Sequence, residues 1–237
     1  MKAKRRFNIW LWVLLCVPCL LASCDHDVHS DEEESGLSVS LTWADEADQG
    51  TEVKDVKLWI FNADDGSLVE EKHGGSAQEV ASQRFALPEG HYQILAITNL
   101  IEPFFTTDQP RALTNWNNIQ IGLTNPKDVN HNAYFGVADV RIDNKEGNYV
   151  VQNPMKSVLP ELTIIIENVP KGTEMSGKAL DAAWCLFPTQ KNSDGEYGLP
   201  SIEPTEVELP TILATESTLK SEVIRLMPTI QGSPASH

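Results

Sequence analysis

Leu37-Ser38-Val39-Ser40-Leu41-Thr42-Trp43 alternates apolar and polar side chains without a break. A period of two puts every apolar residue on one side of an extended chain, so this stretch reads as a β-strand with one buried face. Val56-Lys57-Leu58-Trp59-Ile60-Phe61 reads as a second strand. Val56, Leu58 and Ile60 share one of its faces, and Trp59 and Phe61 share the other, so cover is expected on both sides. Asn62-Ala63-Asp64-Asp65-Gly66 is a turn built from residues that tolerate left-handed backbone, and Ser67–Glu70 returns as the partner strand.

The pattern continues outward. Gln83–Leu87 alternates through Phe85 and Leu87, Pro88-Glu89-Gly90 makes a tight turn, and Tyr92–Thr98 is the next strand, closed by Asn99. Residues 101–132 are broken by Pro103, Pro110 and Pro126 and read as loop with a short helix or two. β character resumes over Ala133–Val140 and Tyr149–Val151. Leu162–Val169, with three consecutive isoleucines, reads as the strongest strand, suited to a central position covered on both faces. Helical periodicity is poor except over Glu174–Trp184, a short connector. Glu222–Met227 reads as the last strand. The turns recur at the spacing of an all-β antiparallel sandwich.

Composition narrows the function classes. The chain has 237 residues, 41% hydrophobic, enough to bury a core. Lys and Arg number 18 against 34 Asp and Glu, a net charge of -16. Phosphates would be repelled, and no basic stripe is present, so no nucleic acid partner is expected. The chain lacks the Gly-x-Ser-x-Gly, His-Glu-x-x-His and Walker patterns, so no enzyme is expected, and no cofactor or metal. His26 and His29, set among carboxylates, would hold a metal only weakly.

The N-terminus carries an address. Lys2, Lys4, Arg5 and Arg6 form a basic head, followed by an apolar run from Ile9 to Leu21. As a helix that run spans about 20 Å, short of the roughly 30 Å hydrocarbon layer, so it reads as a signal peptide. It ends in Leu21-Ala22-Ser23-Cys24, which resembles a bacterial lipoprotein signal. Cys24 is then the lipidation site, acylated by chains such as palmitate, and two or more chains give a stable membrane anchor. Removal of residues 1–23 takes four basic residues, leaving 14 against 34 acidic ones and a net charge of -20. Residues 24–35 read as an acidic, solvated tether. Cys185, the remaining mature cysteine, lies between Trp184 and Leu186-Phe187 and reads as a buried, inert thiol.

Several motifs in order resemble one family. A lipobox precedes Asp55-Val56-Lys57-Leu58-Trp59-Ile60-Phe61-Asn62 and Asp65-Gly66. Leu87-Pro88-Glu89-Gly90-His91-Tyr92-Gln93-Ile94 and Ile97-Thr98-Asn99-Leu100 follow. Together they resemble the FimB/Mfa2 family of fimbrial anchor and accessory lipoproteins of Bacteroidetes. Ser30–Glu34 likewise resembles the acidic export signal of surface lipoproteins in that group. The resemblance implies transthyretin-like antiparallel β-sandwich domains, here one over 36–170 and a short second β domain over 171–237. That second unit either packs onto the first or is incomplete, since family members continue for several more strands.

The resemblance further implies an outer-membrane, surface-exposed protein of the type V fimbrium, with fimbrial subunits as partners and a lipid anchor in the membrane. Its members assemble by strand complementation, in which a partner's strand supplies main-chain hydrogen bonds. The segment Val223–Met227 is expected either to take such a strand or to be an internally paired one. The alternative is a surface lipoprotein that binds glycans or host proteins. Trp43, Trp59, Trp116 and Trp184 are then the stacking candidates, and Trp116, among Asn115, Asn117 and Asn118, is the least core-like. Cys24→Ala is expected to abolish fatty-acid labelling and to release the protein from the membrane fraction; retention of both would exclude lipidation at Cys24.

Overall fold

The computed structural model describes residues 35–43, 52–106, 115–125, 129 and 131–228. The alternating run becomes β1 (Gly36–Trp43), followed by β2 (Val56–Asn62), β3 (Leu68–Gly74), the short helix α1 (Ala77–Ala81), β4 (Gly90–Thr98) and β5 (Phe104–Thr106). A 3-10 turn (Trp116–Asn118) precedes β6 (Ile121–Leu123), β7 (Tyr134–Ile142) and β8 (Asn148–Ser157). Short strands follow: β9 (Glu161–Leu162), β10 (Ile165–Glu167), β11 (Glu174–Met175), β12 (Lys178–Ala183), β13 (Cys185–Lys191) and β14 (Tyr197–Pro200). The last are β15 (Pro204–Glu208), β16 (Ile212–Leu213), β17 (Thr218–Lys220) and β18 (Ile224–Arg225).

The main layer is a curled six-stranded sheet in the order β1-β8-β7-β4-β2-β3. All its pairings are antiparallel except β1 with β8, which run parallel from Gly36↔Asn148 to Trp43↔Met155. The sheet is therefore mixed, a correction to the all-antiparallel expectation. β1 and β8 are far apart in sequence, so no hairpin fixes their direction.

Both faces of this sheet are buried. Leu58 and Ile60 of β2 join Ile94 and Ala96 of β4 in one apolar cluster, with Leu37 and Val39 of β1. Val80 of α1 and Phe85 complete that side. Trp59, Phe61, Leu95, Ile97 and Phe135 enter the opposite cluster. There they meet a four-stranded antiparallel sheet, β14-β13-β6-β5. Ile121 of β6 and Leu186 of β13 supply its apolar face. The two sheets make a sandwich, and the alternation seen in β2 assigns each side chain to its layer. Ala183, Leu186 and Met227, from the C-terminal third of the chain, belong to the same core as Trp59.

Local chemistry fixes the joints. Gly66 takes φ 71°, and its N–H donates to Asn62 O at 2.8 Å, closing the turn. Asn99 takes φ 57° after β4. Its Oδ1 accepts from Lys54 N at 3.0 Å, and its Nδ2 donates to Glu52 O at 3.1 Å, pinning the chain that enters β2. The Tyr92 hydroxyl donates to Pro88 O at 2.9 Å, tying β4 to its preceding turn. Ser76 caps α1 by accepting from Glu79 N at 3.2 Å, while Glu79 Oε2 accepts from Gly75 N at 2.7 Å.

Three sequence expectations change. Leu162–Val169 is not a central strand. It splits into β9 and β10, each in a two-stranded ribbon, and Ile165 is 56% exposed. Apolarity marks a need for cover, and Ile212, Ala214 and Leu219, with Val169 and Met175 against them, form only a satellite cluster there. Glu174–Trp184 forms β11 and β12 rather than a helix. Phe85 makes only an isolated bridge with Leu37, not a strand. Asn99→Ala is expected to cost about 2–3 kcal/mol, from two lost hydrogen bonds and left-handed backbone. Ile165→Ser should change stability by less than about 0.5 kcal/mol. Urea denaturation midpoints measure both, and a large loss at Ile165 would place it in a core.

Candidate functional site

Cys24, His26 and His29 lie outside the described residues. Among the described residues, no group of three His, Cys, Asp or Glu side chains is placed to hold a metal ion. No described helix is long and apolar enough to cross a membrane. The thiol of Cys185 is buried, and burial pushes its pKa up, so it stays protonated and unreactive near neutrality.

The tryptophans separate cleanly. Trp116 is buried, which corrects its reading as the least core-like. Its ring meets Phe61 edge-on at 5.2 Å, and its carbonyl accepts from Thr189 Oγ1 at 2.6 Å. The polar neighbours that mark it as loop in the sequence instead cap the turn: Asn115 Oδ1 accepts from Asn117 N at 2.9 Å. No face is left for a sugar ring. Trp59 is fully enclosed, and Trp43 packs on Tyr134 at 4.9 Å. Trp184 is the exposed one, at 38%. It borders an apolar pocket of about 150 Å³ with Leu123, Ala183, Val207, Leu226 and Met227.

Beside that pocket runs a groove of about 350 Å³. One wall is Val207–Pro210, at and beyond the end of β15; the other is Glu222–Leu226, which contains β18. Among the described residues, β15 pairs only with β12 and β18 only with β9. Ile224 and Arg225 sit opposite Leu162 and Glu161, and Arg225 Nη2 lies 2.7 Å from Glu161 Oε1. The Leu226 N–H donates to Pro160 O at 3.4 Å. Strand alternation then turns the amides of Val223 and Arg225 the other way, away from β9. The segment Val223–Met227 is thus internally paired along one side and, among the described residues, unpaired by strands along the other.

The family comparison bears on this geometry. Residues 26–233 match the family described as fimbrillin-A associated anchor proteins Mfa1 and Mfa2. The chain belongs to this family. No curated protein matches it. Among solved structures, this Mfa2-family chain is similar to the fimbrial anchor protein Mfa2 from Porphyromonas gingivalis. That match has a TM-score of 0.58 at 14% identity, covering 84% of this chain and 74% of that one. A candidate adhesin from Bacteroides thetaiotaomicron matches with a TM-score of 0.59 at 13% identity, over 86% and 74% of the two chains. A candidate polysaccharide-binding protein from the same organism matches at 0.52 and 11%, over 79% and 71%. Identities this low show a shared fold.

β15 is a site element that sequence reading passed over. Glu206-Val207-Glu208-Leu209 alternates polar and apolar residues, and that period of two was the available signal. Trp116→Ala should destabilise the protein by about 3–5 kcal/mol. Trp184→Ala should cost less than about 2 kcal/mol, since its ring is partly in water already. Thermal unfolding of the two variants checks the contrast, and equal losses would contradict it.

Proposed function

We propose that this Mfa2-family chain is a lipid-anchored outer-membrane protein that ties or joins a fimbria to the cell surface. In this reading residues 1–23 direct export, Cys24 carries the lipid, and residues 24–35 are the tether. The body is a transthyretin-like sandwich displayed outward. A fimbrial subunit docks by adding a strand along the free side of Val223–Leu226, across from β15.

The observation that carries the reading is the groove itself. Two strands, β15 and β18, border it, each hydrogen-bonded, among the described residues, to a strand on one side only. Main-chain groups along such an edge bind an extended segment of almost any sequence, and the pockets beside it select among segments. A base or accessory subunit requires both a lipid anchor and a strand acceptor. The docking edge is also short, which limits unwanted pairing with other chains.

The exposure of Trp184 beside an apolar pocket supports a second reading, a surface module that stacks glycans. It is the weaker of the two. The pocket offers a sugar few hydrogen-bonding groups, Thr205 being the polar side chain in its lining.

Val223→Pro removes an amide that faces the groove and leaves the pairing of Ile224 with β9. Its expected outcome is a folded, membrane-bound protein that no longer co-purifies with fimbrial subunits. Normal co-purification by the folded variant would exclude docking at this edge. Loss of binding to a glycan array by Trp184→Ala, with fimbrial association intact, would favour the second reading.

A further inference from the structure

We infer that two copies of this chain pair edge to edge through residues 163–167, with Ile165 opposite its own counterpart across a two-fold axis. This goes beyond the docking reading and does not rest on it. The edge belongs to β9 and β10, on the opposite side of their ribbon from Val223.

β9 and β10 line up along one partner segment. Leu162 stands opposite Ile224, and Ile165, Ile166 and Glu167 stand opposite Lys220, Leu219 and Thr218. Between them the Ser221 N–H donates to Ile164 O at 2.9 Å, and the Ile164 N–H donates to Ser221 Oγ at 2.9 Å. The main chain of Ile164 therefore points at its partner strand, and by alternation that of Thr163, Ile165 and Glu167 points away from it. Among the described residues no strand pairs with that outer side. Leu162, Ile165 and Ile166 are 41%, 56% and 39% exposed, and Thr163 and Glu167 are exposed beside them. Asn168, at φ 60°, turns the chain out of the strand and ends the edge. Natural sheets block such edges with charge: β3, at one edge of the main sheet, carries Glu70, Glu71, Lys72 and His73. Residues 162–166 carry no charge at all.

The residues of this edge match a second copy of themselves. In an antiparallel pair about a two-fold axis at Ile165, that residue faces itself, and Thr163 faces Glu167 on both sides of the axis. Each of these outward-facing pairs exchanges both of its main-chain hydrogen bonds. Ile164 faces Ile166 across the seam, so the apolar run closes on itself. No carboxylate meets another, and each Glu167 carboxylate accepts from the Thr163 hydroxyl of the other copy. The register slipped to set Ile164 opposite itself instead places Glu161 against Glu167 twice, which like-charge repulsion disfavours. Glu161 meanwhile keeps Arg225, whose Nη2 lies 2.7 Å from its Oε1. The seam is short beside a standard protein interface, so association in the micromolar range is expected.

Sedimentation equilibrium of the full chain tests this. Across the micromolar range the protein should pass from monomer to dimer. Ile165→Lys, at an exposed position, sets two ammonium groups opposite each other and should weaken the dimer at least about tenfold. Ile165→Glu should do the same with two carboxylates. An equimolar mixture of these two variants should regain the dimer, because a residue that faces itself is rescued when the two copies carry opposite charges. Thr163→Lys, facing Glu167, should tighten the dimer about fivefold, and Thr163→Glu should weaken it by about as much. Circular dichroism confirms that each variant is folded.

A chain that stays monomeric throughout the range overturns the inference, as does a dimer that withstands both Ile165→Lys and Thr163→Glu. A dimer lost in the two Ile165 variants and not regained on mixing them places the seam elsewhere and overturns it as well. So does cross-linking from a photoreactive residue at position 165 that captures a fimbrial subunit in place of a second copy. None of these results touches docking at Val223, which the proline variant there tests separately.

Discussion

Leu58 and Ile60 project from one side of β2, Trp59 and Phe61 from the other, and β4 repeats the arrangement with Ile94 and Ala96 against Leu95 and Ile97. Two adjacent strands that are apolar on both sides cannot lie at a surface, so the chain must supply two separate covers. On one side β1, α1 and Phe85 close over the sheet, helped by its curl. On the other, a second sheet assembled from β5, β6, β13 and β14 does so. Most of the remaining structure follows from that demand. Trp116, though set among polar asparagines, is drawn into the core because the sheet needs area there.

The C-terminal third shows what happens where cover runs short. β9 to β12 and β15 to β18 form two-stranded ribbons apart from the main sheets, and Leu162, Ile165, Ile202, Leu213 and Val223 stay exposed. Scattered apolar side chains on a surface are ordinary, and here they fall where no second layer reaches. The groove between β15 and β18 lies in this part of the molecule.

Much of the fold was legible from residue patterns. The strands β1, β2, β4 and β7 lie where the period of two puts them, and the Asp65-Gly66 turn and the Asn99 cap stand where residue chemistry places them. Ser76 and Glu79 announced α1 as a capping pair, a signal the alternation around it obscured. Leu162–Val169 misled because its apolarity is local while its exposure depends on which layers reach it. The candidate site was half legible. Glu222–Met227 reads as a strand in the sequence, but its one-sided pairing depends on β9, some sixty residues earlier.

The sequence by itself determined the acidic charge, the β class and the two-faced character of the central strands, because each depends on neighbouring residues. Family membership was legible for the same reason, since it rests on ordered local motifs. Tertiary structure alone decided that β1 pairs in parallel with β8, that Trp116 is core and Trp184 surface, and that β15 and β18 leave a groove between them. Each of those outcomes is set by contacts between segments far apart in the chain, and residue periodicity carries no record of which distant segment will arrive to cover a given face.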